Sequence, residues 1–336
     1  MNEFVNISQN TTFKLPAYVS KVVSFVGGDI KQIVQNIKKD GRLFVLGGGS
    51  NIILPEDMKD VIVLKLENKG IEKITEDDNS VMIKVASGEV WDDVVAYSVE
   101  NGYSGIEALS AIPGTAGATP IQNVGAYGCE IKDVLVSINA YDLKEENNVT
   151  FLNEECGFSY RMSKFKGEWK GRFIITEIII KLSKGKPKIP EYPGVQKYFI
   201  EKGIQDPTLL EIRNAIIEIR WSKLPKPNEV PNCGSFFENP IVEKAVAEKI
   251  KLEYNTMPSF PISEGFVKIP AGWLIENTGL KGADFGAVGT YEKNALVLVN
   301  NNFATQKDVI NARDSIIKMV YEKFGITLES EPEIIQ

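Results

Sequence analysis

Residues 105–131 read GIEALSAIPGTAGATPIQNVGAYGCEI, a run too rich in glycine and small residues for a helix and too long for an ordinary turn. Gly105, Gly114, Gly117, Gly125 and Gly128 permit positive φ and let a ligand approach bare main chain, while Pro113 and Pro120 stiffen the path. Such a structureless stretch inside a compact chain is a binding surface more often than a linker, the alternative being a plain crossover loop.

Upstream, residues 29–40 place Ile30, Ile33, Val34 and Ile37 on one helical face, with Asp29 as N-cap and Gly41 just past the end. A strand at residues 43–46 follows, then Gly47, Gly48, Gly49, Ser50 and Asn51 before a new apolar run. A Rossmann turn would open a helix here, but Ile52 takes the third glycine's place and Pro55 follows; a P-loop would need Gly-Lys-Ser/Thr. What remains is a concave run of backbone amides suited to a pyrophosphate, or a simple loop.

Further strands are expected at residues 61–66, 81–86, 134–141 and 173–182, the last an isoleucine run of the kind buried on both faces. Helices are expected at 89–100 and at 207–220, the latter with Asp206 as cap and Pro207 at its first position. Between them, residues 185–207 form a Lys/Pro/Tyr-rich insertion read as a mobile flap. Three prolines within residues 223–231 mark a boundary. Beyond it come a helix opened by Asn239-Pro240, another at 272–277, a strand at 295–300 and a long helix beginning at Thr305, where Thr305 and Asp308 make a capping-box pair.

The chain has 336 residues, enough for two or three domains, and a net charge of −7 that argues against a general nucleic-acid surface. No apolar run reaches membrane-spanning length and no signal segment opens the chain, so a cytoplasmic location is expected. Cys129, Cys156 and Cys233 suit neither a disulfide framework nor a metal site. There is no histidine at all, which removes Ser-His-Asp and Cys-His hydrolysis and His-ligated zinc together. Cys233 then reads as a buried thiol rather than a nucleophile.

Three short groups could carry chemistry. In Phe158-Ser159-Tyr160-Arg161 an arginine fork matches a carboxylate, with Tyr160 beside it; a basic surface loop is the plainer reading. In residues 232–240 Ser235 follows a glycine and precedes two phenylalanines, where a hydroxyl held in a dry pocket donates a proton or merely closes a turn. In the tail, Glu329 and Glu331 share one face of an extended segment, where solvated tail carboxylates are the plainer reading.

The strings LGGGSNIIL, IPGTAGATPIQNVGAYG, FSYR, KLPKP, CGSFFENP, AGWLIENTGLKG and ALVLVN stand in an order and spacing that resembles the UDP-N-acetylenolpyruvoylglucosamine reductase family over nearly the whole chain. The resemblance implies an α+β, three-domain flavoprotein: a vanillyl-alcohol-oxidase-type (PCMH-type) pair of FAD-binding domains and a C-terminal α/β substrate domain. With the breaks read above, these are residues 1–70, 71–222 including the flap, and 223–324, with 325–336 returning to the site. It implies non-covalent FAD, NADPH as hydride donor, no metal, and UDP-N-acetylglucosamine enolpyruvate reduced to UDP-N-acetylmuramate for peptidoglycan synthesis. A monomer with no nucleic-acid or membrane partner is expected.

Carried over by position, the cofactor residues are Gly47, Gly48, Gly49, Ser50 and Asn51 at the pyrophosphate. Ile112, Pro113, Gly114, Gly117, Ala118, Thr119, Ile121, Gly125, Ala126 and Tyr127 lie along the flavin and its ribityl chain. Arg161 matches the arginine that, with a glutamate, polarises the enolpyruvyl carboxylate, and Ser235 the serine that protonates the substrate. Glu329 is assigned as that glutamate because it follows Leu328, with Glu331 the fallback in the other register. Tyr160, Arg220, Lys223 and Asn239 match substrate positions, and Tyr192 the flap tyrosine of the family's longer subtype. An FAD-dependent oxidase of the same superfamily and a non-catalytic UDP-sugar-binding module are the other readings these segments allow.

Overall fold

A computed structural model describes residues 4–336 and shows an α+β chain. It divides into two compact units, residues 4–5, 19–49 and 59–222 forming one and residues 6–18, 50–58 and 223–336 the other. Three domains were expected from the sequence. The strand Phe173–Ser183 explains why the first two do not separate. Its Ile174 packs with Ile30, Val34 and Ile37 of the helix Ile30–Asp40, while Ile175, Ile178 and Ile180 belong to a second core with Trp91, Val94 and Ile138. One strand thus serves both expected subdomains, burying apolar side chains on each face.

In the first unit, Arg42–Leu46 runs parallel to Asp57–Leu66, with Tyr18–Phe25 on the far side of the latter. Asp29 caps the helix Ile30–Asp40 by accepting from the amides of Lys31 and Gln32. The second sheet is antiparallel, in the order Asn147–Leu152, Leu135–Asp142, Phe173–Ser183, Ser80–Ala86 and Ile71–Glu76. The helix Trp91–Glu100 packs on it.

The 185–207 insertion is not without structure: Pro193–Lys202 is helical, with Val195 and Phe199 packed against Ile212 and Ile216 of the helix Leu209–Lys223. That second helix starts two residues later than the sequence suggested. Thr208 and Glu211 form its reciprocal cap, and Asp206 instead pairs with Lys186 at 2.6 Å.

The second unit is built on the antiparallel strands Asn232–Ser235, Asn294–Asn300 and Val288–Tyr291, covered by the helices Ala271–Asn277 and Gln306–Phe324. Thr305 and Asp308 make the expected capping box. Asn239-Pro240 opens a short strand, Ile241–Glu243, and the helix waits until Lys244–Glu253. Phe13, Leu15 and Ile53 complete this core although they come from the N-terminal part of the chain. Among the described residues no helix is long and apolar enough to cross a membrane.

Candidate active site

The two glycine stretches picked from the sequence meet in the first unit. A Cβ placed on Gly48 would stand 2.6 Å from Gly114 Cα, and one on Gly47 2.8 Å from Thr115 Oγ1. A Cβ on Gly117 would fall 2.3 Å from Ser87 Cβ. Gly48 is therefore required by main chain lying on main chain, and Gly47 and Gly117 by the close side chains of Thr115 and Ser87. Gly49 and Gly114 adopt left-handed φ of 60° and 120°, so the backbone is bare on both sides of the junction. A pyrophosphate-bearing cofactor, which needs close main-chain approach, fits this construction.

The long loop is anchored rather than structureless. Trp91 N–H donates to Gly114 O at 3.0 Å, Ala116 N–H to Glu89 O at 2.8 Å and Gly117 N–H to Ser87 O at 3.0 Å, and Ala116–Ala118 is a 3-10 turn. Thr119 spends its hydroxyl on Ala116 O, and Ile112, Ile121 and Ala126 are half-buried against the sheet core. At the loop's entry Ala111, at φ 58°, donates its N–H to Asp92, which also holds Arg213 through both guanidinium nitrogens at 2.7 and 2.9 Å. Burial alone would raise the Asp92 carboxyl; Arg213 and the Ala111 amide outweigh it and hold it below the usual range. Sequence reasoning passed over Asp92, whose partners are far away in the chain.

Residues 125–130 close a two-residue hairpin, Gly125–Ala126 against Cys129–Glu130, with Tyr127 at φ 52° and Gly128 at φ 87° in the turn. Two consecutive positive φ values match the twist of a tight hairpin. Tyr127 meets Tyr192 edge to face, ring centroids 5.3 Å apart. Burial pushes the Tyr127 phenol up, the positive charge of Arg220 opposing it and Tyr192 adding to it. Two predicted residues, Tyr127 and Tyr192, are thereby in contact, and the charge of a third, Arg220, acts on Tyr127. Lys223, exposed, ends the helix that carries Arg220.

Arg161 sits in a second tight turn. Ser159 N–H donates to Met162 O at 3.0 Å and Met162 N–H to Ser159 O at 3.2 Å, leaving Tyr160 and Arg161 at the tip, with Arg161 at φ 53°. The guanidinium carbon lies 5.2 Å from the Tyr160 ring centroid. A left-handed arginine carries a backbone cost that local bonds must offset.

In the second unit three distant segments converge on Ser235. Its strand is held by Asn232, whose Nδ2 donates to Pro225 O and Val230 O and whose Oδ1 accepts from Gly234 N–H, and by Phe236 N–H donating to Leu296 O. Gly234 takes φ 75°, breaking the strand register just before the serine. The tail pairs alongside: Glu331 N–H donates to Phe236 O and Glu238 N–H to Glu329 O, both at 2.9 Å. Asn51 joins from the glycine turn, its Nδ2 donating to Glu331 O at 3.3 Å and its O accepting from Glu333 N–H at 3.1 Å.

Of the two tail carboxylates, Glu329 is exposed and Glu331 half-buried. The charge of Glu331 reaches Cys233: burial raises that thiol and Glu331 raises it further, so Cys233 stays protonated and is no nucleophile. Cys129 and Cys156 are likewise pushed up by burial, to about 11 and about 12. Asn239 accepts from Ala271 N–H at 2.9 Å and so fastens the start of the helix Ala271–Asn277, a structural duty beside the substrate role expected of it.

Residues 226–335 match the family described as UDP-N-acetylenolpyruvoylglucosamine reductase, C-terminal domain, and residues 28–146 match the FAD binding domain family. The chain is similar to the UDP-N-acetylenolpyruvoylglucosamine reductase of Flavobacterium johnsoniae, with 42% identity over 98% of each chain. It is also similar to that of Bdellovibrio bacteriovorus, with 41% identity over 97% of each. Among solved structures, the reductase of that name from Thermus caldophilus superposes with a TM-score of 0.67 at 22% identity, covering 99% of this chain and 98% of that one. p-Cresol methylhydroxylase superposes with a TM-score of 0.50 at 12% identity, covering 96% and 82%. These two superpositions speak to the fold.

Proposed function

Because the chain belongs to the UDP-N-acetylenolpyruvoylglucosamine reductase family, we propose that it uses NADPH to reduce UDP-N-acetylglucosamine enolpyruvate to UDP-N-acetylmuramate, supplying peptidoglycan synthesis. The observation that carries the assignment of roles is the meeting of the Ser235 strand, Glu331 and Asn51. FAD, when bound, would supply the hydride-transfer chemistry that links NADPH to the terminal vinyl carbon of the substrate. Gly47, Gly48, Gly49, Ser50 and Asn51 would hold its pyrophosphate, and Ile112, Pro113, Gly114, Gly117, Ala118, Thr119, Ile121, Gly125, Ala126 and Tyr127 its flavin end.

The chain's own side chains do the remainder. Arg161 presents a planar fork to the enolpyruvyl carboxylate and so stabilises negative charge developing on the adjacent carbon. Ser235 gives its hydroxyl proton to that carbon. Serine is a weak acid and no histidine assists it, so a basic carbon and close placement are required. A glutamate helps either as a neutral acid or through the arginine. Glu331 is the better candidate than Glu329, because it is half-buried and its own N–H pairs with Phe236 O, next to Ser235, at 2.9 Å. Tyr192, resting on Tyr127, and Arg220 cover the nucleotide end, with Tyr160, Lys223 and Asn239 as further substrate contacts. The chain works as a cytoplasmic monomer, where the UDP-sugar and NADPH are found.

Glu331→Gln is expected to lower kcat by about 10²-fold with little change in the NADPH half-reaction, and Glu329→Gln to stay within about threefold of the parent. Steady-state and single-turnover rates on both variants decide it; the reverse order returns the role to Glu329.

A further inference from the structure

Asn123 lies in the middle of the long glycine-rich loop, yet it is fully buried, 0% exposed, and adopts a left-handed φ of 48°. Its amide is heavily engaged. Nδ2 donates to Glu130 Oε2 and to Ser159 O, both at 3.0 Å, and Oδ1 accepts from Lys132 N–H at 3.2 Å. Ser159 O is the same carbonyl that accepts from Met162 N–H to close the turn bearing Arg161.

A second tie runs from the same loop: Ser163 Oγ donates to Ile121 O at 2.6 Å, with Ser163 1% exposed. Lys166 Nζ donates to Arg161 O at 3.1 Å from the other side. The arginine turn is therefore fastened to the loop expected to carry the flavin at two points, Ile121 and Asn123.

We infer that Asn123 is a positioning residue that fixes the Arg161 turn relative to the flavin-binding loop, so that the guanidinium is pre-set for the substrate carboxylate. The inference rests on the role given to Arg161 above. Residue chemistry singles out asparagine. The left-handed backbone favours Gly, Asn or Asp. Glycine would keep the backbone and lose all three bonds. Aspartate would keep the Lys132 amide bond but replace the Nδ2 donor with an acceptor facing the Ser159 carbonyl and Glu130 Oε2, the latter already paired with Lys132 Nζ at 2.6 Å, so the tie to Ser159 O would be lost. Buried polar groups of this kind rigidify what they connect when every partner is satisfied.

The test uses Asn123→Gly in the flavin-loaded full chain, since it removes the bonds without straining φ. Hydrogen–deuterium exchange of the peptide covering residues 158–163 is expected to quicken about tenfold or more at Met162. The enolpyruvyl half-reaction is expected to slow about 10- to 100-fold through kcat rather than KM. Flavin content and the NADPH half-reaction stay as in the parent. Ser163→Ala, which cuts the other tie, is expected to shift the same amide in the same direction and serves if Asn123→Gly does not fold. Unchanged exchange at Met162, or an equal slowing of both half-reactions, overturns the inference. Arg161→Lys run in parallel separates the layers. If it leaves the enolpyruvyl half-reaction intact, the role of Arg161 is wrong; if it slows that half-reaction and Asn123→Gly does not, only the positioning role is wrong.

Discussion

Ser235→Ala is expected to reduce the enolpyruvyl half-reaction by about 10²- to 10⁴-fold while leaving reduction by NADPH within about threefold of the parent. The size follows from loss of a positioned general acid in a chain with no histidine to replace it. The selectivity follows because the first half-reaction needs no proton from this hydroxyl. Structural damage is a weak rival explanation. Ser235 ends its strand half-buried, and its neighbours are held by Asn232, by the Phe236 amide on Leu296 O and by the tail amide of Glu331, none of which uses the serine side chain. Rapid-mixing absorbance in each half-reaction separates the two effects. An equal fall in both would assign the serine a structural duty. Ser235→Cys, which restores an exchangeable proton, is expected to recover part of the lost rate.

Gly48→Ala is expected to be among the most damaging single methyls in the chain's first unit. Its Cβ would stand 2.6 Å from Gly114 Cα, 3.0 Å from Gly114 C and 3.3 Å from Thr115 N, all main-chain atoms. Gly114 is pinned in turn by the amide of Trp91, itself fully buried, so neither loop yields cheaply. Overpacking of this sort costs about 1–3 kcal/mol, and the displaced main chain is the proposed pyrophosphate seat. The variant is expected to purify with little flavin and a lowered Tm. Gly128→Ala provides the contrast: it has open space around its Cβ and only a left-handed φ of 87° to strain, a cost of about 1 kcal/mol. Thermal unfolding and flavin stoichiometry on the pair check the ranking. A Gly48→Ala protein with full flavin and an unchanged Tm would mean the tight approach of the two loops is dispensable.

Local signals carried much of this chain's architecture. Asp29 caps its helix as expected and Gly41 ends it, though in extended rather than left-handed backbone; the isoleucine run at 173–183 is buried on both faces, and Thr305 with Asp308 starts the last long helix. Where the reading failed, the deciding partner lay far along the chain or a closer cap won. Thr208 and Glu211 outcompete Asp206 because a reciprocal box satisfies more of the first-turn amides than a lone carboxylate drawn away by Lys186. Tyr127-Gly128 lacks the usual hairpin signature, since a tyrosine at positive φ is held by burial and by Tyr192 rather than by its own preference. Residues 6–18 and 50–58 join the C-terminal unit through bonds such as Asn300 Nδ2 to Phe13 O and Gln306 Nε2 to Ile53 O, which no local window contains.

The site shows the same division. Glycine spacing marked both loops, but not that Gly47 and Gly48 serve loop-to-loop packing. The preference for Glu331 over Glu329 needed the pairing of the tail with residues 236–238. Asn123 carried no sequence signal beyond a polar residue among small ones; its importance comes from the carbonyl of Ser159.

The most direct test is an anaerobic absorption series on the purified chain. The account predicts a yellow protein whose flavin bands bleach with one equivalent of NADPH and return on adding one equivalent of UDP-N-acetylglucosamine enolpyruvate, with UDP-N-acetylmuramate formed in the same amount. A colourless protein, or bands that return only when oxygen is admitted, would contradict it.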